Sequence, residues 1–179
     1  MRPTDMPGIW QNMLKLWSNI PKRWLYLVGA VTVVGLYGFG LYLQYVLRLE
    51  PCPLCMVQRA IFIAICVLFL IAAIHNAKQI GAKVYSVLIA LTALGGIAVA
   101  ARHIWIQHLP KDQVPGCGPG LDYMLKYFPL SEVWQELIHG SGECAEKNWT
   151  FFALGIPEWS LVWYVLLAIF AVMVGWKKS

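Results

Sequence analysis

Residues 52–74 read CPLCMVQRAIFIAICVLFLIAAI, and this run decides the fold. From Pro53 to Ile74 the only charge is Arg59. A bilayer core of about 30 Å needs roughly 20 helical residues at about 1.5 Å each, so the run is long enough to cross. Three other runs have the same character. Trp24–Leu47 and Trp159–Trp176 carry no charge at all. In Val84–Leu109 the only charge, histidines aside, is Arg102. Composition agrees. Of 179 residues, 59% are hydrophobic and 13% charged, where a soluble domain carries about a quarter charged. Backbone groups in lipid must bond within their own segment. The sequence therefore predicts an all-α integral membrane protein. It should be a bundle of four transmembrane helices over 24–47, 53–74, 84–109 and 159–176, in one domain covering 1–179. The first span is too long for the apolar region of a removable signal peptide and lacks a small-x-small cleavage site.

Charge orients the bundle. The tract before the first span carries Arg2, Lys15, Lys22 and Arg23. The connection 75–83 carries Lys78 and Lys83, and the tail carries Lys177 and Lys178. Against these eight bases stands one acid, Asp5. The loop 110–158 has three lysines and seven acids. Basic flanks stay on the cytoplasmic side, which puts both termini inside and the long loop outside. The net charge of +5 then serves to anchor the chain. No basic run is interleaved with aromatics on a soluble face, so nucleic acid is not indicated. The loop is too long to be a mere connector. Its apolar residues Leu121, Met124, Leu125, Phe128, Val133, Trp134, Leu137 and Ile138 predict short helices on the membrane surface, broken at Pro129 and at Gly140–Gly142. A further interfacial helix is expected around Ile9–Trp17. Trp149, Phe151, Phe152 and Trp159 suit the interfacial belt.

Four of the five cysteines fall on that outer side. Cys52 and Cys55 form a C-x-x-C that follows Pro51 and opens a helix, where the helix N-terminus favours a thiolate. Such a motif is half a zinc site, a redox pair or an accident. Arg59 lies four residues after Cys55, one turn deeper on the same face. A charge inside a span costs about 2.5–3.5 kcal/mol on insertion scales, so Arg59 either stabilises an anion near Cys55 or snorkels to the interface. Cys117 and Cys144 flank the middle of the long loop among glycines and a proline, which predicts exposed, mobile backbone. Outside the cytoplasm the two should pair, as a redox couple or as a structural staple. A single C-x-x-C with its other cysteines far apart argues against zinc, and no metal is assigned. Arg102, His103 and Gln107 cluster near the outer end of the third span. They could line a cavity and supply hydrogen bonds to the two carbonyls of a quinone, or bond helix to helix. Cys66, about three turns deeper than Cys55, reads as a small hydrophobe. Neither it nor Gln58 is given a role, nor are His75, His108 and His139.

Together these features resemble the bacterial disulfide bond formation protein B family, DsbB, whose members are thiol–quinone oxidoreductases of the inner membrane. The likeness runs over roughly Trp24–Trp176. It rests on the four spans, Cys-Pro-Leu-Cys followed by Gln58-Arg59, Arg-His-Ile-Trp-Ile-Gln at 102–107, Cys-Gly-Pro-Gly-Leu-Asp-Tyr at 117–123 and Gly-Glu-Cys-Ala-Glu-Lys-Asn-Trp at 142–149. The resemblance implies that Cys52 and Cys55 couple to ubiquinone or menaquinone. It implies that Cys117 and Cys144 oxidise a periplasmic DsbA-like partner of thioredoxin fold, and that Arg59 and His103 belong to the quinone site. Rival readings are a vitamin K epoxide reductase-like enzyme, which shares the four-helix bundle and cysteine pairs, a four-span scaffold with a staple disulfide, and a metal-binding membrane protein. The dispersed Cys117 and Cys144 and the Arg-His-Ile-Trp motif fit the first family better.

Overall fold

The computed structural model describes residues 20–76, 78–110, 112–114, 116, 121–133, 140, 142–146 and 149–177. Four long helices dominate: α1 (Lys22–Tyr45), α2 (Pro53–Ile74), α3 (Gln79–Gln107) and, after the long connection, α5 (Ile156–Trp176). Each is long and apolar enough to cross a membrane. Between α3 and α5 lie α4 (Leu121–Tyr127), a 3-10 turn over Gly142–Ala145 and a hairpin of β1 (Thr150–Phe151) and β2 (Leu154–Gly155). The expected interfacial helix at 9–17, Cys117, and Trp134, Leu137 and Ile138 fall outside the described residues. The α4 helix ends before Pro129, as expected, and Met124 and Val133 are buried.

Three span boundaries need correction. The first helix is Lys22–Tyr45 rather than 24–47, and the third begins at Gln79 rather than 84 and ends at Gln107. The fourth begins at Ile156 rather than 159. Its first turn holds Pro157 and Glu158, which look like loop residues. Proline costs nothing at a first turn whose N–H groups are unbonded anyway, and a carboxylate is favoured at a helix N-terminus. Only the second span coincides with its expected bounds.

The bundle closes through α3. Along it the buried positions Ala82, Ser86, Ile89, Ala93, Gly96, Ala100 and His103 recur at alternating steps of four and three. All but Ile89 and His103 are small. That stripe lets α5 approach closely, which is how helices associate where lipid removes the hydrophobic drive. The most extensive contact is α3 with α5, followed by α1 with α2 and α2 with α3. Gly96 shows why size matters, because a Cβ there would lie 2.6 Å from the Tyr164 ring. Few polar bonds cross the core. Ser86 Oγ donates to the Ala171 carbonyl at 2.7 Å, Tyr26 Oη to that of Ala82 at 3.2 Å, and Tyr164 Oη to that of Gln58 at 2.8 Å. The outward faces carry Val31, Leu91, Leu94 and Ile169, all exposed, as suits contact with acyl chains.

Candidate functional site

The site begins at the N-terminus of α2. Cys52 is the N-cap, with extended backbone, and Pro53 opens the helix. Cys55 then sits three residues on, in the first turn. This spacing turns both thiols to one side of the helix end, where Cys52 Sγ and Cys55 Sγ stand 3.1 Å apart. Cys52 is buried and Cys55 half-buried. The unbonded N–H groups of the first turn point the same way and stabilise negative charge.

Two other segments close on this end. Gly140 takes a left-handed backbone, φ +77°, and lies so close to Leu54 of α2 and Ile106 of α3 that a side chain there would overlap them. This close approach carries the 3-10 turn onto the bundle. Cys144, in that turn, is fully buried. The expectation of an exposed Cys144 is therefore wrong, and Gly140 nearby provides a tight approach to the bundle. Gly142 N–H also donates to the Gly116 carbonyl at 3.2 Å. That bond ties the residue before Cys117 to the turn holding Cys144.

His103 joins the parts. Its ring is buried on the α3 stripe. Nε2 lies 3.1 Å from the Cys144 carbonyl and 3.7 Å from Cys52 Sγ, and Nδ1 lies 3.2 Å from Gln58 Nε2. The Nε2–H tautomer satisfies both bonds: Gln58 donates to Nδ1 and Nε2–H donates to the carbonyl. Cys52 Sγ, Cys144 Sγ and a His103 ring nitrogen all lie within 4.8 Å of one another.

Beside the cluster opens a cavity of about 580 Å³. Cys52, Cys55, Gln58, Arg59, His103 and Gln107 line it, together with Phe39, Gly40 and Gln44 of α1 and the aromatic residues Trp149, Phe151 and Trp159. Arg59 does face it, but α1 holds the guanidinium. Nη1 donates to Gln44 Oε1 in a short bond, and Nη2 donates to the Gly40 carbonyl at 3.1 Å. Gln107 Oε1 is buried with no hydrogen-bond partner among the described residues. Arg102 is exposed and does not line the cavity. One residue along the helix from His103 is a turn of about 100°, enough to leave the stripe. Cys66 is half-buried against the apolar core, its Sγ 3.8 Å from the Ala30 carbonyl. Part of the lining is aromatic. Phe39 meets Trp149 edge-on with centroids 5.8 Å apart, and Trp159 Nε1 donates to the Phe151 carbonyl at 3.1 Å.

Sequence reasoning missed Gln58. It is buried and orients His103. Its signal was position, because Leu54, Gln58, Phe62, Ile65 and Phe69 form the buried row of α2.

Fold and site together define a polytopic helical membrane protein with a cysteine cluster at one end of its bundle, beside a cavity. Residues 22–174 match the family model of disulfide bond formation protein DsbB. Disulfide bond formation protein B of Hahella chejuensis is 52% identical over 146 residues, 82% of this chain and 88% of that protein. That of Nitrosococcus oceani is 45% identical over 151 residues, 84% and 89% of the two chains. Disulfide bond formation protein B 1 of Pseudomonas aeruginosa is 46% identical, with 84% and 93% covered. The chain belongs to the DsbB family, named for disulfide bond formation.

Proposed function

We propose that this protein is a thiol–quinone oxidoreductase of the bacterial inner membrane. It reoxidises a periplasmic DsbA-like dithiol oxidase and passes two electrons to ubiquinone or menaquinone. The observation that carries the reading is the meeting of Cys144 with the Cys52/Cys55 thiols at the edge of a cavity that Arg59 lines. We read the chain as one domain, with both termini cytoplasmic and the connection between α3 and α5 in the periplasm.

The cavity fits a quinone. Apolar and aromatic walls suit a ring and tail, while Arg59 offers donors to carbonyl oxygens and His103 would do so only on releasing the Cys144 carbonyl. Gln107 Oε1, buried without a partner among the described residues, needs a hydrogen-bond donor such as a hydroxyl. When bound, a quinone supplies a two-electron, two-proton acceptor.

The chain's own steps are thiol exchanges, each a thiolate attack on a disulfide sulfur. A partner thiolate attacks Cys117 of a Cys117–Cys144 disulfide, and Cys144 leaves as thiolate. The partner's second thiolate then releases Cys117, and the partner departs oxidised. Cys144 attacks Cys52 of the Cys52–Cys55 disulfide, and Cys55 leaves as a thiolate at the helix N-terminus, facing the cavity. Cys117 attacks Cys144, restoring that disulfide and freeing Cys52. The Cys52/Cys55 dithiol then gives up two electrons and two protons and closes again. The 4.8 Å limit on the Cys52–Cys144 separation leaves a short approach to a sulfur–sulfur bond of about 2.05 Å.

The test is direct. Purified protein, a reduced thioredoxin-fold partner and a quinone are mixed, and quinone absorbance is followed with thiol counts. Partner oxidation and quinone loss should keep a one-to-one ratio. Partner oxidation that proceeds equally without quinone would sink the reading.

Orientation is checked separately. Reporter fusions after Ser179 and within 75–83 should read cytoplasmic, and a fusion near Lys126 should read outside. A cytoplasmic reading at Lys126 would place the cysteines in a reducing compartment and overturn the mechanism.

A further inference from the structure

Spacing in the sequence argues against a metal centre, but folding changes the donor set. Two residues from the N-terminus of α2, one from α3 and one from the 3-10 turn meet in a buried spot with no carboxylate among them. Cys52, His103 and Cys144 have their ligand atoms within 4.8 Å of one another, and Cys55 Sγ is 3.1 Å from Cys52 Sγ. Three thiols and one imidazole form a tetrahedral zinc set. At Zn–S and Zn–N bonds of about 2.3 and 2.05 Å, tetrahedral geometry puts sulfurs about 3.8 Å apart and sulfur about 3.6 Å from nitrogen. Cys52 Sγ to His103 Nε2 is already 3.7 Å. The two sulfurs of the C-x-x-C must open by about 0.7 Å, and Cys55 Sγ, outside the 4.8 Å group of the other three donors, must swing toward them to complete the set.

We propose that the fully reduced protein binds one thiophilic divalent cation of the Zn²⁺ class through Cys52, Cys55, Cys144 and His103, and that the bound ion blocks thiol exchange. Binding displaces the three thiol protons to solvent and involves no electron transfer. His103 must present the Nε2 lone pair, giving up its bond to the Cys144 carbonyl. A half-turn of the Gln58 carboxamide lets its oxygen accept from Nδ1–H, the usual outer support of a metal-bound imidazole. Three thiolates leave the centre with one net negative charge, next to the cavity that Arg59 lines. A Cys52–Cys55 disulfide withdraws two of the four donors. The site therefore exists only in the reduced state, and metal and oxidation compete for the same sulfurs. The binding claim rests on geometry alone, whereas the block of turnover rests also on the proposed function.

The experiment uses the full chain in detergent or nanodiscs, reduced, with Zn²⁺ titrated against a chromophoric chelator. One ion per chain should bind, and oxidation of the thiols should release it. Cys144→Ser and His103→Ala should each weaken binding, and Gln58→Leu should do so by about 10–100-fold. Cys66→Ala should change nothing. In the unmodified protein, Zn²⁺ should protect Cys55, the half-buried thiol of the set, from maleimide, so the outcome does not hang on a variant's folding. Equal binding by oxidised and reduced protein, or unchanged labelling of Cys55 with Zn²⁺ present, overturns the site. These assays contain neither quinone nor partner, so they succeed or fail independently of the electron-transfer reading. A last measurement joins the two, because Zn²⁺ should inhibit quinone reduction and chelator should restore it.

Discussion

Replacing Cys144 with alanine should stop turnover, because no Cys117–Cys144 disulfide is left for the partner thiolate to attack. In the proposed order the only internal thiol that carries electrons from the loop to Cys52 is Cys144. It is held against Cys52 by the close seat of Gly140 and by the bond of His103 to its own carbonyl. Alanine at 144 keeps that carbonyl, so the turn should stay docked while the sulfur is lost. Quinone reduction with partner as donor should fall to background. A small dithiol that reaches Cys52 directly should still drive it, because Cys52 and Cys55 are untouched. On the unmodified protein, a partner lacking its second cysteine should be trapped on Cys117 as a mixed disulfide, and mass spectrometry of that species reads the order of transfer. If the partner is found only on Cys52, the relay through the loop is wrong and attack occurs at the helix end itself.

Arg59→Ala should lower kcat/KM for quinone by about 10²-fold, the usual loss when one fixed donor to developing negative charge is removed. The guanidinium is tethered to α1 by Gln44 and the Gly40 carbonyl, so it is positioned before any ligand arrives. A planar fork can serve two acceptors on α1 and still present a face to the cavity. Lysine keeps the charge but not the fork, so Arg59→Lys should fall between the native protein and the alanine variant. Gln44→Leu should raise KM more than it lowers kcat, because it frees the arginine without deleting it. Mixed-disulfide formation with the partner should be unchanged in all three. Unaltered quinone kinetics in Arg59→Ala would reduce the residue to a snorkelling anchor.

How much of this could be read from the chain depends on which forces leave a local trace. Four apolar runs must become four helices in lipid, so the spans were legible. Their ends were not, because Gln79, Pro157 and Glu158 are tolerated in first turns, and Lys83 just after one, although they look like loop. The pairing of Cys52 with Cys55 was written in their spacing. The docking of Cys144 beside them was not, since it depends on a turn at Gly140 fitting between Leu54 and Ile106. Gln58 was hidden for a different reason: α2 is apolar on every side apart from the adjacent Gln58 and Arg59, so its pattern does not say which of the two faces inward. On α3 the row of small residues does mark a face. It separates His103, which lies on that row, from Arg102, which does not. The hairpin at 150–155 was also unmarked. Phe152 and Ala153 both take left-handed backbone, φ +50° and +62°, as a two-residue turn between paired strands requires, without the Asn-Gly signature that usually announces one.

The tie between His103 and the Cys144 carbonyl also bears on biogenesis. Ribosomes make proteins from the N-terminus, so the third span is made, imidazole included, before residue 144 exists. Until the chain past Gly142 is in place, Nε2–H lacks that acceptor. The newly made bundle thus holds an unfinished polar centre that waits for a later segment. In the proposed function that segment also carries a redox sulfur, so completing the centre and arming the enzyme would be one event.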